Sequence, residues 1–402
     1  MAAPPVGAPA TDRHSRRLRL WYDPFDPEYC RDLLDRTLGP VARQYFRPRL
    51  IGAERLPARG PAILAANHSG NAFPYDAIML DATLWRADGF AVARKVRSLF
   101  EPALTESWWM RPFGIDNFWR RGGGVDMTFD NFERLMQRGD RVLYFPEGVP
   151  GIGKGFNRRY QLQPFKTSFV VMAARHGAPV YPISIVNGEW IVPFGYTFRF
   201  LDGIMQRVFR VPFLPIPIGL LGVVFPFMWY FAFPAHLIFV VGRPIDVRAM
   251  MWREGVTDFE SPPRAAARRV AERIRVLMQQ ELDAEVALHG RRPFELASLW
   301  KAVVGGTFSF GRVLPPAWTL TMVRQDRDRH RPAPRNRLLG LLRDWDLLFF
   351  YVPFGWPLLS LARRLRRPPY GYRGLHPEER RDVQGQFLWR LVDRPLPPHR
   401  QP

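Results

Sequence analysis

Two stretches of this chain hold residue types suited to proton transfer. In the first, Asn67-His68-Ser69-Gly70-Asn71-Ala72-Phe73-Pro74-Tyr75-Asp76, an imidazole follows a short apolar run, and Asp76 is the nearest following carboxylate. A His at a strand end can act as general base, and a carboxylate can fix its tautomer and steady the imidazolium that forms. In the second, Phe145-Pro146-Glu147-Gly148, an acid stands between Pro and Gly and leads into a stretch rich in Gly and Pro. Glycine removes the side chain that would block close approach, so this loop is expected to bring backbone near a partner. The plainer alternative is a turn carrying a solvated acid.

Other chemistries are less well served. Gly148 to Lys154 fits the first seven positions of a phosphate-binding P-loop and follows a predicted strand. The next residue is Gly155, where Ser or Thr should hold magnesium, and Pro150 removes a backbone donor that such a loop needs. No G-x-S-x-G elbow occurs, which argues against an α/β-hydrolase. No H-E-x-x-H occurs either, and the eight histidines are scattered, so neither a metal nor a cofactor is expected.

Charge narrows the partners. The formal net charge is +21, and only four of the 58 basic residues are lysines, Lys95, Lys154, Lys166 and Lys301. Arginine forks suit phosphates, which points to an anionic partner: a lipid surface, a phosphorylated substrate or nucleic acid. The arginines are spread along the chain and no nucleic-acid module is recognisable, so nucleic acid is not expected. A single cysteine, Cys30, excludes a disulfide framework and fits a reducing compartment. No apolar core follows the N-terminal charges, so no signal peptide is expected.

The elements that must position these residues follow from the apolar pattern. Strands are predicted at Ala62–Ala66, Arg141–Phe145 and Val180–Val186. Helices are predicted over Asp76–Leu84, Phe129–Arg138, Phe165–His176 and Ser261–His289, with one or two short ones in Trp21–Arg49, broken by Pro24, Pro27 and Pro40. The alternation indicates an α/β fold: a mixed, mostly parallel sheet flanked by helices, with an N-terminal helical segment and a C-terminal helical, apolar extension. Val211–Val241 contains no Asp, Glu, Lys or Arg, but five prolines cut it up. An interfacial or re-entrant apolar loop is favoured over a span, with burial in the core an equal alternative. Leu347–Leu361 is apolar and aromatic and runs into Arg363-Arg364-Leu365-Arg366-Arg367, a pattern that suits an anionic membrane surface.

Together these segments resemble the glycerolipid acyltransferase superfamily, the PlsC-like lysophosphatidate and phospholipid acyltransferases, over about Ile51–His289. Asn67-His68 with Asp76 resembles the block carrying the family's His/Asp pair, and Gly114 to Arg120 the second block. Phe145-Pro146-Glu147-Gly148 resembles the third and Val180-Tyr181-Pro182-Ile183 the fourth. The family usually places four residues between His and Asp. Here seven intervene and Phe73 takes the usual Asp position, which points to a subgroup with an HSG-type loop.

The resemblance implies an O-acyltransferase of phospholipid biosynthesis. His68 would be its general base and Asp76 its orienting carboxylate; Arg120, with Arg121 in reserve, would hold a phosphate. Glu147, Gly148 and Asn67 would line the substrate site, Glu147 taking a hydroxyl or ordering an Arg. The implied co-substrate is acyl-CoA or acyl-carrier protein. The acceptor is a lysophosphatidate-like glycerolipid, with diacylglycerol, a lysophospholipid or a long-chain alcohol left open. The expected organisation is a disordered basic N-terminus (1–20), a helical segment (21–50), the acyltransferase domain (51–290) and an extension of unassigned role that could contact a membrane (291–402). The expected location is the cytoplasmic side of a membrane, peripheral or monotopic. The alternative is a catalytically silent lipid-binding protein of the same fold.

Overall fold

The computed structural model describes residues 20, 23–69, 73–101, 118–196, 216–305, 314–330 and 336–366. The first part of the second block, Gly114 to Asn117, the start of the apolar stretch at 211–215, almost all of the basic N-terminus and the end of the tail lie outside the described residues.

Seven strands form one sheet: β1 (Arg49–Ile51), β2 (Ala62–Ala66), β3 (Arg97–Phe100), β4 (Val125–Asp126), β5 (Arg141–Tyr144), β6 (Val180–Val186) and β7 (Ile238–Val241). Their order is β1-β7-β6-β2-β5-β3-β4. Every pairing is parallel except β6 with β7. The expected mixed, mostly parallel sheet is therefore present. β2 is buried at every position, as its sequence of only Ala, Ile and Leu requires of a strand covered on both sides.

Helices cover both faces. Numbered along the chain they are α1 (Pro27–Leu33), α2 (Tyr75–Ala87), α3 (Phe118–Arg121), α4 (Phe129–Gln137), α5 (Val149–Ile152), α6 (Ser168–His176) and α7 (Ile218–Val224). After these come α8 (Val247–Arg253), α9 (Arg264–His289), α10 (Leu296–Val304), α11 (Pro315–His330), α12 (Arg337–Arg343) and α13 (Trp356–Arg366). Alternate residues of β2 feed two cores. Leu64 and Ala66 pack with α2 and the N-terminal helix, and Ile63 and Ala65 pack with α4, α6, α8 and α9. The period of two along a strand produces this division.

Two segments differ from the sequence expectation, and a third follows one of the two alternatives left open for it. Pro40 does not break the N-terminal helix. Pro27 opens it, with Asp26 capping the Tyr29 N–H at 2.9 Å, and π-helical turns at Leu34–Leu38 and Val41–Phe46 carry it past the missing donor. The helix expected from Phe165 starts at Ser168 instead, and the Lys166 N–H bonds the Pro146 carbonyl at 2.8 Å. The apolar stretch largely enters the core: Trp229, Tyr230, Ala232, Ala235 and Leu237 are buried, and β7 takes a place inside the sheet. Among the described residues no helix is long and apolar enough to cross a membrane.

The tail shares this core. Leu320, Phe350, Trp356 and Leu359 belong to the cluster that holds α2 and the N-terminal helix. Thr37 donates to the Gln325 carboxamide oxygen at 2.8 Å, and Arg327 pairs with Asp344 and Asp346 at 2.8 and 2.5 Å.

Candidate active site

β6, β2 and β5 are neighbours in the centre of the sheet and run in the same direction, with Ala65 level with both Tyr144 and Pro182. Their carboxyl ends therefore empty side by side. His68 follows β2, Glu147 follows β5, and Asn187 to Glu189 follow β6. Ligands of open parallel sheets bind at this edge, because the loops there are free of the sheet ladder.

The His68–Asp76 pair forms. His68 Nδ1 lies 2.7 Å from Asp76 Oδ2, and Asp76 also accepts from the backbone N–H groups of Ser69 and Ala77, at 2.8 and 2.9 Å. The seven-residue separation closes because α2 starts at Tyr75, which places Asp76 in its first turn. Phe73, at the family's usual Asp position, is buried against Tyr75 and Tyr230 instead. Burial works against ionising Asp76, but His68 and the two N–H donors outweigh it and hold the carboxyl below the usual carboxylate range. The His68 side chain is 12% exposed, its ring stacked on Phe145 with centroids 4.2 Å apart. With Nδ1 bonded to a carboxylate, Nε2 is the nitrogen left to act on a substrate.

Glu147 is fully buried and works on the backbone. Its Oε1 accepts from the His68 N–H at 2.8 Å, and its Oε2 accepts from the Gln163 N–H at 2.7 Å. The glycine-rich loop is folded tightly onto these two residues. Gly148 has φ +60°, and a Cβ at Gly151 would stand 2.5 Å from the Glu147 Cβ and 2.9 Å from the His68 Cβ. Only glycine allows both the turn and the approach. Asn67 clamps the neighbouring strand: its side chain accepts from the Ile185 N–H at 2.6 Å and donates to the Ile185 carbonyl at 3.2 Å.

Residues 47–186 match the family model Acyltransferase. This segment resembles that family. An uncharacterized protein of Mycobacterium tuberculosis (strain H37Rv) is 32% identical over 218 residues, which cover 52% of this chain and 57% of that protein. An uncharacterized protein of Mycobacterium leprae (strain TN) is 32% identical over 218 residues, covering 52% of this chain and 56% of that protein. The match thus spans less than two thirds of either relative. The crystal structure of the 1-acyl-sn-glycerophosphate (LPA) acyltransferase PlsC from Thermotoga maritima is similar over 61% of this chain and 80% of that one, at 16% identity and a TM-score of 0.35.

The two arginines expected at a phosphate are each placed against an aspartate. Arg120 forms a fork on Asp126, with Nε and Nη2 at 3.0 and 2.8 Å, and at 1% exposure it presents almost no surface to a substrate. Arg121 bonds Asp26 at 3.3 Å and stacks 3.6 Å over the Tyr29 ring. Neither partner was visible from the motif, which ends at Arg120.

Lys154 and Glu189 were not anticipated as site residues. Both are fully buried, with Lys154 Nζ 3.3 Å from Glu189 Oε1 and 3.9 Å from Glu147 Oε2. Burial disfavours the ammonium, but Glu147, Glu189 and Asp76 outweigh it and hold the Lys154 pKa above its ordinary value. The P-loop-like lysine is therefore a structural cation under the FPEG turn. One signal was available: a chain that uses arginine for nearly every basic position keeps a compact ammonium here.

Proposed function

We propose that the domain transfers a fatty acyl group from the thioester of acyl-CoA or acyl-carrier protein to a hydroxyl of a glycerolipid or related lipid alcohol. His68 Nε2 takes the hydroxyl proton as the oxygen attacks the thioester carbonyl. The new C–O bond forms, the C–S bond breaks, and the imidazolium returns the proton to the departing thiolate, leaving an ester and a free thiol. Asp76 keeps the ring in the tautomer with Nε2 open and stabilises the imidazolium. Glu147 sets the position of the His68 backbone, and Lys154 balances its buried charge.

The observation that carries this reading is the 2.7 Å contact between His68 Nδ1 and Asp76 Oδ2 at the carboxyl edge of the central strands. Lysophosphatidate is the first acceptor to test, with a lysophospholipid, a diacylglycerol and a long-chain alcohol beside it. Both donors belong to the cytoplasm, so that side of a membrane is the proposed place of reaction. The test is thiol release from acyl-CoA and from acyl-carrier protein, with and without each acceptor, for wild type and His68→Ala. Acceptor-dependent release that falls about 10²–10⁴-fold in the variant supports the proposal. Release at the wild-type rate in the variant, or none for any acceptor with wild type, would overturn it.

A further inference from the structure

The last described helix has apolar residues on both sides. On one side of α13, Trp356, Leu359 and Ala362 are buried against the core. On the other, Leu358, Leu361 and Leu365 follow i, i+3, i+7 spacing and are exposed, the last two by 54% and 71%. The core accounts for the first stripe and leaves the second without a function in the fold.

This second stripe is part of a wider surface. The Phe354 N–H bonds the Val224 carbonyl, and Trp356 Nε1 bonds the Gly222 carbonyl at 2.9 Å. These bonds join the start of α13 to α7, whose Leu220 and Leu221 are exposed, and Phe354 itself is exposed. α12 repeats the pattern: Leu338, Leu339 and Leu342 are exposed on a helix of seven residues. Exposed leucines grouped in this way, on α7 and α13 bonded together and on α12 close to them in sequence, point to an interaction site.

Charge identifies the partner. Residues 336–367 contain six arginines and two acids, Asp344 and Asp346. Both acids are buried and paired with Arg327, so they add no negative charge to the outer surface; Arg343 is committed to Asp344 and Asp328, and the excess of positive charge rests on the other five arginines. A second copy of the chain meeting this face would bring arginine runs together. An anionic bilayer complements them, and short helices with leucine outward and arginine at their ends are suited to lying in a headgroup layer.

We infer that α7, Phe354, α12 and α13 form a docking face for an anionic lipid surface, held on the acyltransferase domain through the shared core. The leucines enter the acyl boundary while the arginines stay at headgroup level. This extends the reading of the site as one for a lipid acceptor, and the two can fail separately.

The test is flotation of the full chain with vesicles of phosphatidylcholine and phosphatidylglycerol in equal parts, at low and high salt. Wild type is expected to float and to bind less at high salt. Leu361→Asp/Leu365→Asp and, independently, Leu338→Asp/Leu342→Asp should weaken partitioning by about tenfold or more, since each removes apolar burial and adds repulsion. Their melting temperatures should match wild type, because these side chains are exposed. The inference is overturned if wild type does not float, if both variants float as well as wild type, or if light scattering shows a wild-type dimer that the variants dissolve. Thiol release with a short-chain acceptor free of vesicles should be within about twofold for wild type and variants. Absence of release in all of them would overturn the catalytic reading and leave docking to be decided by flotation.

Discussion

The Glu147 carboxylate accepts a hydrogen bond from the backbone N–H of His68 at 2.8 Å, so the FPEG acid holds the chain that carries the imidazole. Its second oxygen binds the Gln163 N–H, and Lys154 stands behind it. Glu147→Ala would leave two buried donors without their acceptor and Lys154 with only one of its two carboxylates, a loss of about 3–5 kcal/mol. Glu147→Gln retains one acceptor oxygen but turns an amide N–H₂ toward a donor. It should fold, unfold in urea about 2 kcal/mol earlier, and lose turnover with little change in acceptor KM. A Gln variant with wild-type kcat would remove Glu147 from the positioning role.

Asp76 links the stability of the fold to pH. Its folded pKa is depressed, so its ionisation stabilises the fold above the unfolded value of about 3.9, and that stability disappears as pH falls through the lower folded value. The gap in melting temperature between wild type and Asp76→Asn should be widest near neutrality and close under strong acid. At neutral pH the variant's kcat should drop about 10²–10⁴-fold, since an amide can hold the wrong tautomer. A gap that stays constant under acid would mean that the carboxylate charge is not what matters.

What could be read in the sequence was what local order encodes. The runs Ala62–Ala66 and Val180–Val186 have the bounds expected of them, because short, mostly apolar runs that end in polar residues suit a strand covered on both sides. The His68–Asp76 pair was legible despite its spacing, since a helix beginning near Tyr75 can bring its first turn back to the strand end. Contacts made by distant segments were not legible. Lys154 meets Glu189 across 35 positions, and Thr37 meets Gln325 across 288. Arg120 looked available only because the sequence does not reveal that Asp126, six residues on, returns to it. The π-helical turns around Pro40 were hidden for another reason: the absent N–H is visible, but the turn that accommodates it is set by packing.

The buried Lys154–Glu189 pair yields a non-additive prediction. Lys154→Met leaves two carboxylates buried without their cation and should destabilise by about 3–5 kcal/mol. Adding Glu189→Gln removes one of those charges, so the double variant should be more stable than Lys154→Met alone. Urea unfolding of the wild type, both single variants and the double variant closes the cycle. Additive effects would show that the pair is not coupled.

Cys30 should be inert in the native protein. Burial, the largest influence on it, pushes its thiol pKa up to about 12, while the thiolate is the form that reacts. At pH 8 a thiol reagent should therefore label the chain only after denaturant is added, leaving released CoA thiol as the sole signal in the activity assay. Rapid labelling of the folded protein would show that the N-terminal helix opens.

Ser69 connects the His68–Asp76 pair to the β6 loop. A Cβ added at Gly188 would lie 1.9 Å from the Ser69 Oγ and 2.7 Å from its Cβ, too close for a rotation of the hydroxyl alone to relieve. Gly188→Ala must then push residue 69 aside, and with it the N–H that holds Asp76 Oδ2. Overpacking of this kind typically costs about 1–3 kcal/mol, and a shift of the dyad by even part of an ångström should lower kcat by at least about tenfold. The remedy follows from the same geometry. Ser69→Gly deletes both clashing atoms and keeps the backbone donor, so Ser69→Gly/Gly188→Ala should regain most of the lost turnover and melting temperature. If the double variant is no better than Gly188→Ala alone, the β6 loop acts on the dyad by a route other than Ser69.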